Sequence, residues 1–179
     1  FSSSGNNNWF FAHYPSDYPE VICVGGSNED RFKFPQSNYG AMLDFVAPGQ
    51  EIRSTNIFSS YKITNGTSLS SPYASSVAAM LLELNPELKP ESIRGILRAT
   101  SIDVGDIGWD EQFGAGILNA YNAVSSVGET NISFNVPDRR FLVNKDETPI
   151  LTLTGNILTP LFDKYKIKSG FGEINVEFD

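Results

Sequence analysis

The stretch NGTSLSSPYASSVAAMLLELNP, residues 65–86, puts a glycine, several hydroxyl side chains and a proline at the head of a run with helical periodicity. Val77, Met80, Leu81 and Leu84 recur at helical spacing, and Asn85-Pro86 stops the run. A helix beginning at Ser68 aims its free N–H groups and the positive end of its dipole at the Ser68 hydroxyl, a setting that favours developing negative charge. Gly66 allows a tight turn or the close approach of a substrate. Pro72 falls in the first turn or so, where a missing N–H costs least. The small residues Ser70, Ser71, Ala74, Ser75 and Ser76 let the helix lie close against a neighbouring strand. Taken alone, these residues leave two readings open. Thr67 or Ser68 caps the helix, or Ser68 is a nucleophile that needs a base to take its proton.

Outward from this stretch, EVICVGG and LDFVAPG read as buried strands, each a short apolar run stopped by Gly or Pro. KPESIRGILRATS reads as a second helix, opened by Pro90 and Glu91 with Ile93, Ile96 and Leu97 on one face. GAGILNAYNAVSSVG repeats the pattern with Ile117, Ala120, Tyr121 and Val124. From Glu129 onward the helical period is lost, and ISFNV, RFLV, PILTLTG, KYKIKSG and EINVEF alternate like strands between turn residues. The division is therefore residues 1–127 as an α/β unit and residues 128–179 as part of a β-rich accessory module.

The 179 residues are 40% apolar and 12% aromatic, enough to bury one core. Thirteen basic against 21 acidic residues, net charge −8, give no electrostatic footprint for nucleic acid or anionic lipid. No apolar stretch reaches membrane-spanning length, since Val77 to Leu84 is interrupted by Glu83. The one cysteine, Cys23, reads as a small buried hydrophobe in VICVGG. The chain opens on Phe1 and closes on INVEFD in mid-pattern, which reads as a piece of a longer polypeptide.

The whole of NGTSLSSPYASSVAAMLLELNPELKPESIRGILRAT resembles the nucleophile region of the subtilisin-like serine proteases. Gly66, Thr67, Ser68, Leu69, Ser70, Ser71 and Pro72 follow that family's pattern in order. SSSGNNN, YPSDYPEVICVGG, SNYGAMLDFVAPGQEIRST and GAGILNAYNAV fit in family order, so the resemblance spans about residues 1–127. It implies a three-layer α/β fold, a mostly parallel sheet with helices on both faces, here in part, followed by a β-sandwich-like C-terminal module. It also implies a serine endopeptidase acting on protein or peptide substrates, extracellular or at the cell surface.

Carried over position by position, the resemblance makes Ser68 the nucleophile and Asn6 the side-chain donor to the oxyanion, with Asn7 the fallback if the register slips. Ser3, Ser4 and Gly5 then form one wall of the pocket for the substrate residue before the cut. The family's histidine base and orienting aspartate have no counterpart here. His13 in FFAHYPSDYP is the only histidine and reads as a loop residue. The missing pair is expected upstream, in the remainder of the same polypeptide, and the 179-residue chain alone is expected to be inactive. A non-catalytic scaffold that kept the fold is the alternative; an α/β-hydrolase fares poorly because no Gly-x-Ser-x-Gly elbow occurs.

Three smaller expectations accompany the resemblance. Tyr14-Pro15 aligns with a turn that in relatives often holds a cis proline. Asp44, with backbone carbonyls near Pro19 and Val21, aligns with a structural calcium or sodium site, no cofactor being required for catalysis. Ser76 stands where the family usually has glycine, adding a hydroxyl to a close contact.

Overall fold

A computed structural model describes residues 1–11 and 13–127 in full, and the backbone of two further strands, Asn131–Asn135 and Thr154–Leu158. Its centre is a parallel sheet in the order β1-β2-β3, formed by Ser2–Ser3, Cys23–Ser27 and Phe45–Pro48. Val24 lies beside Phe45 and Ser2 beside Cys23. All five residues of β2 are buried, as a middle strand covered on both faces requires. An antiparallel hairpin follows, β4 (Ile52–Asn56) with β5 (Ser60–Thr64), and it runs directly into α1, Thr67–Leu84. Then come α2, Pro90–Ala99, and a short α3, Ala120–Ser125.

Alternation along β2 and β3 separates two packing faces. Val24, Phe45 and Ala47 join Ala74, Val77, Ala78 and Leu81 of α1, Ile93, Ile96 and Leu97 of α2, and Ala123 of α3 in the main core. Cys23 and Val46 point the other way, onto Met42, Leu43, Phe113 and Ile117. Cys23 is thus fully buried, as its apolar setting suggests. Among the described residues the helices lie on one face only. The opposite face is covered by the loop carrying Phe113 and Ile117, so the expected second helical layer is not built from these residues.

The helical expectations hold in kind and shift in face. On α1 the buried stripe is Thr67, Ser70, Ala74, Val77, Ala78 and Leu81. Small residues let the helix approach the sheet, with the Ser70 hydroxyl donating to Pro48 O at 3.1 Å. Met80 and Leu84, expected on that stripe, are instead 50% and 54% exposed. Ser75 and Ser76 are also exposed, and both hydroxyls donate to Pro72 O at 3.0 and 2.7 Å. The Ser76 hydroxyl is therefore taken up within its own helix. Ile117 lies outside the third helix, in extended backbone bridged to Ile102 and Val46. That helix begins only after Asn119, whose side chain accepts the Asn122 N–H at 3.0 Å.

In the tail, β6 (Asn131–Asn135) falls on ISFNV and pairs antiparallel with β7 (Thr154–Leu158), which begins at the end of PILTLTG. The other strands expected of an accessory module lie outside the described residues. No helix among the described residues is long and apolar enough to cross a membrane.

Candidate active site

Ser68 is the second residue of α1 and is exposed. As one of the first-turn groups, its backbone N–H has no carbonyl four residues behind it within the helix. The helix starts at Gly66, whose φ of +148° lies where side-chain-bearing residues rarely go. Gly66 is held in place from behind, its N–H donating to Gly49 O at 2.7 Å. A Cβ built on Gly66 would stand 3.3 Å from Ser68 Oγ, 3.6 Å from Asn6 Nδ2 and 3.8 Å from Asn6 Oδ1. The serine hydroxyl and the asparagine amide therefore converge on one small space at the helix mouth, although 61 residues separate Asn6 from Thr67 beside it.

Asn6 is oriented by Thr67. Its Oδ1 accepts the Thr67 N–H at 2.8 Å and the Thr67 hydroxyl at 3.0 Å. Two donors on the oxygen settle which end of the carboxamide is which, so the NH₂ end is left as the donor beside Ser68. The Thr67 hydroxyl in turn accepts the Gly5 N–H at 3.2 Å, tying the helix start to the residue before Asn6. The cap on this helix comes from Asn6, across the fold, and no side chain of the helix start makes a capping bond. Thr67, read from sequence only as a local cap, is wholly buried and positions Asn6.

The pocket residues are distributed as follows. Ser3 closes β1, and its carbonyl accepts the Ser16 hydroxyl at 2.5 Å. Ser4 is fully buried with Oγ 3.4 Å from Ser37 Oγ, so its side chain is turned into the interior. Gly5, with φ +108°, is part-buried; a Cβ there would lie 2.6 Å from His13 Cδ2 and 2.5 Å from Asn38 Nδ2. His13 is exposed, and its Nε2 hydrogen-bonds Asn7 Oδ1 at 2.9 Å. The one histidine thus faces the pocket segment and not Ser68. Among the described residues no histidine or carboxylate hydrogen-bonds the Ser68 hydroxyl. The Tyr14-Pro15 bond is cis.

The segment carrying Asn6 is itself anchored. Asn38 Oδ1 accepts the N–H groups of Asn7 and Trp9, at 2.9 and 3.1 Å. Lys33 Nζ donates to Asn8 Oδ1 at 2.9 Å and to Ser37 O at 3.0 Å. Burial lowers the Lys33 pKa below that of a free ammonium.

Asp44, expected with Pro19 and Val21 to ligate a cation, is 1% exposed. One carboxylate oxygen accepts the Cys23 N–H at 2.8 Å. The other faces Arg94 Nε at 3.6 Å and Arg98 Nη1 at 3.9 Å. Arg94 also donates to Pro19 O at 2.7 Å. Guanidinium groups thus supply the positive charge and take the carbonyl a calcium ion would need, so this donor set does not fit a metal. The loop from Asp103 to Glu111, which carries four carboxylates, is a polar turn system: Asp103 accepts the Gly108 N–H at 2.9 Å, and Asp110 accepts those of Gln112 and Phe113 at 2.7 and 2.9 Å.

Comparison with known proteins puts this geometry in context. The subtilase family (Peptidase_S8) matches residues 1–116. The chain is 34% identical over 119 residues to M-protease of Shouchella clausii (strain KSM-K16), covering 66% of this chain and 30% of that protein. It is equally similar to subtilisin Savinase of Lederbergia lenta, covering 66% and 43%. The minor extracellular protease Epr of Bacillus subtilis (strain 168) is 29% identical over 157 residues, covering 80% of this chain and 24% of that protein. Among solved structures, the prenylagaramide maturation protease PagA superposes with a TM-score of 0.62 at 26% identity, over 70% of this chain and 49% of that one. The chain therefore spans well under half the length of these curated relatives.

Proposed function

The chain belongs to the subtilase family, and on that premise we propose that it is the nucleophile-bearing part of a serine endopeptidase that cleaves protein or peptide substrates through an acyl-enzyme on Ser68. The observation that carries the proposal is the convergence of Ser68 Oγ and Asn6 Nδ2 within 4 Å of one point beside Gly66. In this reading Ser68 Oγ attacks the scissile carbonyl carbon while a base takes its proton. The carbonyl oxygen becomes an anion, which accepts hydrogen bonds from Asn6 Nδ2 and the Ser68 N–H. Collapse expels the leaving amine, and water then hydrolyses the ester on Ser68. Because His13 is engaged with Asn7, the base and its orienting carboxylate belong to polypeptide beyond these 179 residues. Ser3 and Gly5 border the pocket for the residue before the cut. In this reading residues 1–127 are the peptidase unit and 128–179 a β-rich accessory part, and the likeness to a minor extracellular protease supports a location outside the cell or on its surface.

A second reading, a non-catalytic scaffold with the same fold, draws on the absence of any base hydrogen-bonded to Ser68 among the described residues. A fluorophosphonate probe separates the two. It is expected to label Ser68 in the full-length protein and to leave the Ser68→Ala variant unlabelled. The 179-residue chain alone is expected to hydrolyse peptides no faster than that variant. An unlabelled full-length protein, or labelling of another serine, would overturn the proteolytic reading.

A further inference from the structure

We propose that Asn38 is a positioning residue that fixes the oxyanion donor of Asn6, an assignment that rests on the reading of Ser68 and Asn6 given above. Asn38 is wholly buried and touches the Asn6 segment on both flanks. Its backbone N–H donates to Gly5 O at 2.9 Å, just before Asn6, and its Oδ1 accepts the N–H of Asn7 at 2.9 Å, just after. The same oxygen takes the Trp9 N–H at 3.1 Å. Residues 5–9 therefore wrap around a single side-chain oxygen. Neighbouring backbone bonds close the pairing, Asn8 N–H to Gln36 O at 2.8 Å and Tyr39 N–H to Trp9 O at 2.9 Å.

The physical need is specific. A loop that turns back within four residues, with Asn8 at φ +54°, cannot satisfy its own N–H groups through regular structure. One acceptor with two lone pairs, reaching in from the neighbouring segment, satisfies two of them at once. At the other end of the same carboxamide, Asn38 Nδ2 is buried and hydrogen-bonds none of the described residues. It also lies so close under Gly5 that a Cβ there would be 2.5 Å away. Lys33 makes a lesser, outer tie to the same loop through Asn8 Oδ1.

If Asn38 works through Asn6, removing it matters only while Asn6 is present. The test is a double-mutant cycle in the full-length protein, using wild type, Asn6→Ala, Asn38→Leu and the double variant on one chromogenic peptide. Asn6→Ala is expected to lower kcat by about 10²–10³-fold, the range known for loss of such a donor in a subtilisin. Asn38→Leu, similar in volume but without the acceptor, is expected to lower kcat by roughly tenfold or more while KM moves little, because a small misplacement of a catalytic group is costly. In the Asn6→Ala background the same change is expected to cost nothing further. If Asn38→Leu fails to fold, Lys33→Met, which empties no fully buried position, is expected to give a smaller kcat loss that also vanishes without Asn6. Losses that multiply independently of Asn6, or that fall on KM, would overturn the assignment of Asn38. An Asn6→Ala variant with wild-type kcat would overturn the catalytic reading beneath it.

Discussion

Replacing Gly66 by alanine tests the site at its tightest point. Two costs are separable. The backbone at φ +148° and ψ +149° belongs to a region that is essentially glycine's alone, and holding another residue there costs of order 1–3 kcal/mol, so about 2 kcal/mol is expected. For a domain of 150–250 residues that lowers Tm by about 4–8 °C. The second cost is steric: the new methyl would stand 3.3 Å from Ser68 Oγ and 3.6 Å from Asn6 Nδ2, in the space the proposed mechanism gives to the substrate carbonyl. A loss of at least about tenfold in kcat, roughly 1.4 kcal/mol in the barrier, is expected from that intrusion. Gly108→Ala is the control, because Gly108 also has positive φ, +87°, but a Cβ there meets nothing within 4 Å. It is expected to cost about 1–2 kcal/mol of stability and no activity. The assay is thermal unfolding together with peptide hydrolysis, normalised to active sites titrated with a fluorophosphonate. A Gly66→Ala protein with wild-type kcat per titrated site would refute the placement of the oxyanion space against Gly66.

Two further predictions concern the supports of the site. Thr67→Val keeps the N–H bond to Asn6 Oδ1 but removes the hydroxyl that links Asn6 to Gly5. It is expected to lower kcat about tenfold, roughly 1.4 kcal/mol of barrier, with KM nearly constant, and an unchanged kcat would show that the hydroxyl does not orient Asn6. Asp44→Asn leaves Arg94 facing a neutral group in a buried setting and is expected to destabilise the fold by about 3 kcal/mol in chemical denaturation, the low end for breaking a buried ion pair. Millimolar calcium is expected not to restore the loss, and full restoration would show a metal site in place of the arginine pair.

The elements that pack against the sheet were the legible ones. EVICVGG and LDFVAPG became β2 and β3 because a strand buried on both faces has to be apolar throughout, and the amphipathic period of α2 placed Ile93, Ile96 and Leu97 in the core. The misreadings come from judging a helix face by size. On α1 the large residues Met80 and Leu84 face outward, while serine and alanine face the sheet, since close approach demands small side chains there. The hairpin of β4 and β5 went unread: Tyr61 and Ile63 alternate as in a strand, but over five residues only, and most residues of both strands are exposed, so no buried apolar face marks them.

The site itself was legible as residue types and illegible as a network. Ser68 and Asn6 stand out through the Gly-Thr-Ser and Gly-Asn-Asn patterns that the family resemblance supplies. Thr67 looked like a local helix cap because Ser and Thr usually act on their own helix. Here the direction is reversed, and the helix N–H is capped by an asparagine from the end of β1. A cap made within the helix would leave the Asn6 amide free to rotate; a cap made by Asn6 stabilises the helix start and aims the proposed oxyanion donor with the same bonds. Asn38 gives no local sign at all, since an asparagine between a serine and a tyrosine predicts a turn. Its partners Gly5, Asn7 and Trp9 lie about thirty residues earlier in the chain and appear only when two loops are laid side by side. Hydrogen bonds that cross the fold are therefore where the geometry of the proposed site is specified, and they leave no periodicity in the chain that makes them.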